Sequence, residues 1–123
     1  MGLFIDPKRE IEYVIKSERE KPEAERTTFR LRALTAREFA TFRDRASTRD
    51  ADGKLETNVF LFDVELLRLA LVGWSGKDAP KFPGTDTPES VEAGLDMLSP
   101  EVRDELSLEA WKMNRVEDDE GKA

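Results

Sequence analysis

The chain has 123 residues, with 20 Lys and Arg against 27 Asp and Glu, and neither His nor Cys. That length holds one domain. The missing residue types remove thiol nucleophiles, disulfides, Cys/His zinc sites, imidazole acid–base chemistry and Ser-His-Asp triads. A net charge of −7 argues against electrostatic wrapping of nucleic acid, and no stretch approaches the roughly 20 apolar residues of a membrane span. The opening MGLFIDPKRE has no apolar run of signal-peptide length. The expectation is a soluble, cytosolic, non-enzymatic protein with no cofactor and no metal.

The first third reads as β. In Ile11-Glu12-Tyr13-Val14-Ile15-Lys16, Ile11, Tyr13 and Ile15 share one face, and in Thr27–Arg32 the inward positions are Phe29 and Leu31. Between them Ser17–Arg26 is almost all charged and contains Pro22, which excludes a sheet interior. Thr35-Ala36-Arg37-Glu38 has the pattern of a capping box, with Leu34 and Phe39 at the staple positions and Phe42 and Ala46 continuing at helical spacing. Arg49-Asp50-Ala51-Asp52-Gly53 ends that helix as a turn.

From Val59 to Val72 eleven of fourteen residues are apolar, interrupted by Asp63, Glu65 and Arg68. A helix here starts either near Asn58, which leaves Asp63 in an apolar neighbourhood, or at Asp63 itself as N-cap. Gly73-Trp74-Ser75-Gly76 closes it, and 77–87, with Pro80, Pro83 and Gly84, is a loop. Thr87-Pro88-Glu89 and Ser99-Pro100-Glu101 open two further helices, with inner stripes Val91, Leu95, Leu98 and Val102, Leu106, Ala110, Met113. The predicted fold class is α+β, mostly α. An N-terminal two-stranded β-hairpin over 10–33 packs on about four helices, at about 36–48, 58–73, 88–98 and 100–116. These make a single compact domain over 1–116, and the acidic tail 117–123 is expected to be disordered.

Candidate chemistry is sparse. With Gly53 at position six of a calcium loop, Asp50 and Asp52 take positions three and five, but Thr48 and Val59 stand where an Asp and a bidentate Glu are needed. Glu101/Glu105 and Glu105/Glu109 are carboxylate pairs at i,i+4, read as a solvated face. Arg26, Arg30, Arg32 and Arg37 form a basic strip suited, if functional, to an acidic protein partner. The central helix carries more large apolar residues than one face holds. It is either the buried centre of the domain or a protein-interaction surface, in which case Phe60, Leu66, Leu67, Leu71, Trp74 and Phe82 are the partner-binding candidates.

The phrases Leu31-Arg32-Ala33-Leu34-Thr35-Ala36-Arg37-Glu38 and Leu71-Val72-Gly73-Trp74-Ser75-Gly76 carry a likeness in the order in which they occur. With them, over roughly 10–116, the chain resembles the small tail assembly chaperones of long-tailed bacteriophages. The resemblance implies a host-cytoplasmic protein that binds the tape measure protein, promotes tail tube assembly with the tail tube protein as a further partner, and is absent from the virion. Self-association is left open. Such chaperones are often made in two lengths by a −1 ribosomal frameshift, and Glu120-Gly121-Lys122 can be encoded as the slippery GAG-GGA-AAG. The rivals are a structural virion component, such as a head–tail connector or tail-completion protein, and an acidic mimic of nucleic acid.

Overall fold

Alternating side chains in the first third give β1 (Glu10–Val14) and β2 (Thr28–Arg32), paired antiparallel with Tyr13 opposite Phe29 and Ile11 opposite Leu31. In the computed structural model residues 9–114 are described, apart from the side chains of Thr57, Val59 and Phe60. The expected end of the last helix at 116 and the tail 117–123 lie outside them.

Helices α1 (Ala36–Arg45), α2 (Val59–Ala70), α3 (Pro88–Asp96) and α4 (Pro100–Asn114) follow, so the described chain is α+β with four helices and a small antiparallel sheet. Helix α1 begins as its sequence dictates. The Thr35 hydroxyl accepts from Glu38 N at 3.1 Å, and the Glu38 carboxylate accepts from Thr35 N at 2.9 Å. Helix α3 starts on the Thr87 hydroxyl with Pro88 in its first turn.

The sheet has three strands, not two. Helix α2 ends at Ala70, and Leu71–Ser75 forms β5, which pairs antiparallel with β2 to give the order β1-β2-β5. The helix expected to run to residue 73 therefore stops three residues early. A run as apolar as this one has no periodicity to separate a buried helix from a buried strand. Phe29 faces Trp74 and Leu31 faces Leu71, and the register slips between Arg30 and Leu31, where Val72 is the extra residue. Helix α1 also ends earlier than expected, at Arg45. Ser47–Arg49 (β3) pairs with Leu55–Thr57 (β4) around a turn in which Asp50 Oδ1 accepts from Asp52 N and Lys54 N. Gly53 takes a φ of +82° in that turn, which an L side chain resists. The Asp50–Gly53 segment is thus a hydrogen-bonded turn.

The core lies between the apolar sheet face (Tyr13, Phe29, Leu31, Leu71, Trp74) and the helices, with Leu66, Leu67, Leu106 and Ala110 at its centre. Of the two starts open for the central helix, the earlier holds, because Asn58 O accepts from Leu61 N and Phe62 N. Asp63 then meets α4. Its Oδ1 accepts from the Ser107 hydroxyl at 2.6 Å, and burial, with the Asp104 carboxyl adjoining, raises its pKa.

Three further polar ties fix α4 to the rest of the fold. Glu105 accepts from the Tyr13 hydroxyl at 2.6 Å and from Lys16 N at 2.8 Å. Burial first, then that bond, pushes the Tyr13 pKa up to about 12. Arg9 donates to Met113 O at 3.4 Å. Buried Asn114 accepts from Leu34 N at 2.7 Å and donates to Ala110 O at 2.8 Å. Replacing Asn114 with Ala strands a buried amide at the mouth of α1. The expected loss is about 1–3 kcal/mol in urea unfolding, with faster hydrogen exchange at Leu34 N.

Candidate functional site

Four aromatic rings from three helices meet where α1, α2 and α4 converge. Phe42 of α1 is buried and lies edge-on to Phe39 at 5.7 Å and to Phe62 of α2 at 5.1 Å. Trp111 of α4 tilts against Phe62 at 5.4 Å, Phe39 at 5.7 Å and Phe42 at 6.4 Å. Edge-to-face contacts at these separations add to simple area burial, so the rings hold the three helix faces in a fixed arrangement.

That pile is the floor of an open groove of about 880 Å³. One wall is the α1 stripe Ala36, Ala40, Arg43 and Asp44, and Leu55 of β4 also lines the groove. Phe39, Phe62 and Trp111 are only half-buried, and Leu55 is 66% exposed. Arg43 stands over the Phe39 ring at 5.9 Å. A smaller cavity of about 350 Å³ lies beyond the far end of the sheet, among Ile15, Phe29, Trp74, Met97, Leu98 and Val102, with Glu18 and Asp78 in its wall.

Four of the six expected partner-binding residues are not on the surface. Leu66, Leu67, Leu71 and Trp74 are all buried, since helix α2 is covered by the sheet on one side and by α4 on another, and β5 lies inside the sheet–helix interface. Trp74 is further tied by Nε1 donating to Pro80 O at 2.6 Å, and it stacks edge-on with Phe82 at 4.7 Å. Phe82 is half-buried and packs against the core with Trp74. The side chain of Phe60 is outside the described residues. Of the two readings left open for the central helix, the buried one describes Leu66, Leu67 and Leu71.

Three arginines of the basic strip have partners within the chain. Arg32 pairs with Glu38 through two bonds of 2.9 and 2.6 Å, Arg26 donates to the carbonyls of Lys21 and Arg19, and Arg30 is 4.0 Å from Glu10. Glu105, from both carboxylate pairs, serves the tie to Tyr13 and Lys16. Among the described residues no group of three or more acidic side chains could hold a metal ion, and no helix is long and apolar enough to cross a membrane. No protein-family model matches the sequence, and no curated protein or solved structure matches it either.

Helical spacing in the sequence puts Phe39 and Phe42 on an inner helix face, whereas Leu55 and Trp111 fall outside every apolar stripe. A usable signal was present for Trp111, a large aromatic left over once Val102, Leu106, Ala110 and Met113 complete the α4 stripe.

The wall of the groove depends on how α1 is held at its start. The Arg32 guanidinium, opposed by some desolvation and helped by the Thr35 amide, lowers the Glu38 pKa to about 2 from an ordinary 4.5. A carboxylate depressed in this way stabilises the fold above its unfolded pKa, and the contribution disappears as pH falls towards 2. Glu38→Gln is therefore expected to lower the melting temperature at pH 7, with the difference from the parent protein narrowing below pH 4 and closing near pH 2, as followed by circular dichroism.

Proposed function

We propose that the protein is a non-catalytic tail assembly chaperone of the long-tailed phage type, which holds the tape measure protein in the groove between α1, α2 and α4. The observation that carries this is the groove itself: an aromatic floor from three helices, open to solvent, in a chain whose other large apolar side chains are mostly buried. Monomeric proteins seldom leave such a concentration of apolar surface unoccupied, and a long helical partner presents the complementary face. High net charge keeps the holder in solution while it carries an aggregation-prone client.

The likeness to that family has a further support. Its two phrases lie side by side, since Leu31 of the first pairs with Leu71 of the second in the sheet, and Thr35 and Glu38 of the first build the cap of α1. The phrases that carry the resemblance are thus the ones that set the groove's first wall relative to the core. The chaperone acts in the host cytoplasm, passes its client to the growing tail tube and is left out of the virion; a longer frameshifted form supplies a second module.

Ala40 and Leu55 are exposed and both line the groove. Ala40→Glu and Leu55→Glu are each expected to cut recovery of the co-expressed tape measure protein about tenfold, equivalent to about 1.4 kcal/mol, with the melting temperature little changed. Undiminished recovery overturns the proposal. So does finding the protein by mass spectrometry in purified virions at ring-like copy number, which marks a structural component.

A further inference from the structure

We infer that the groove takes an amphipathic helix of the partner whose apolar stripe is bordered by carboxylates on the side that meets α1; this rests on the groove being the partner-binding site. The shape favours a helix. Ala36, Ala40 and Arg43 recur at the spacing of one α-helical face and line the groove together. The two exposed alanines let a second helix backbone come close, and the rings of Phe39, Phe62 and Trp111 receive its large side chains.

Charge fixes which helix. Although the chain carries a net −7, α1 presents Arg37 and Arg43 with no carboxylate within salt-bridge distance among the described residues. Most arginines elsewhere are engaged: Arg68 with Glu65 and Glu92, Arg32 with Glu38, and Arg9 and Arg26 with backbone carbonyls. Glu38 is consumed by Arg32, so Asp44 is the one carboxylate lining the groove, flanked in sequence by Arg43 and Arg45. Arg43 is held over the Phe39 ring with its guanidinium at the groove's wall. Beside groove-lining Leu55, exposed Glu56 disfavours an acidic border there. The site is therefore polarised, and it orients its occupant as well as binding it.

The test uses two synthetic helical peptides of about five turns, each with the same leucine stripe and with either Glu or Lys along one border. Each is titrated into the isotopically labelled full-length chain at low salt, with the Trp111 indole resonance as reporter. The Glu-bordered peptide is expected to bind about tenfold tighter, to lose that advantage as salt rises, and to shift Trp111. In the double variant Arg37→Glu, Arg43→Glu, both at exposed positions, the preference is expected to invert. Equal affinities, a preference unchanged in the double variant, shifts confined to the Trp74 end, or displacement of both peptides by self-association of the chain would each overturn the inference. Retained peptide preference without recovery of tape measure protein would sink the chaperone function alone and leave the groove's occupant as inferred.

Discussion

Helix α2 runs into β5 without an intervening loop, and most of the architecture follows from that junction. Pairing β5 with β2 places Leu71 and Trp74 on the buried sheet face. The helix that precedes them then has little freedom, and Leu66, Leu67 and Ala70 come down on the same core. Helix α4 packs across α2, and Ser107 meets Asp63 where a misplaced helix would leave a carboxylate among apolar neighbours. The ion pair from Arg68 to Glu92 joins α3 to α2, so even the peripheral helix is referred to this segment.

What the sequence made legible divides along the range of the forces involved. The Thr35–Glu38 cap, the inward faces of β1 and β2, the Pro88 helix start and the inner stripe of α4 are all decided by residues within one or two turns of each other. Each appears in the structure as local chemistry requires. The end of α2 was not legible, because an apolar strand and a buried helix draw on the same apolar alphabet. Nor was the groove. Phe39, Phe62 and Trp111 are distant in sequence, and nothing near any of them announces that their rings meet. The same limit hid the burial of Leu66, Leu67, Leu71 and Trp74. A surplus of large apolar side chains was visible, but the third strand and α4 together absorb the residues that carried it.

The charge pattern follows a comparable logic. Acidic side chains are not spread as a passive coat. Glu105 secures β1 to α4, Glu38 secures the start of α1, Asp50 builds a turn and Glu65 engages Arg68. A surface of this kind combines solubility with order. It also leaves Arg43 of α1 at the wall of an apolar trough, a local exception to the net charge.

The bonds from Arg9 to Met113 and from Leu34 to Asn114 join positions 104 and 80 residues apart. They set an order on how the molecule can be made. Strands β1 and β2 can find each other early, but the amide that opens α1 has its buried partner only when the last turn of α4 has formed. A ribosome must therefore deliver almost the whole described chain before the core can be sealed. Until then the aromatic rings of α1 and α2 stand without Trp111, and closure of the longest loop is the step that completes the fold.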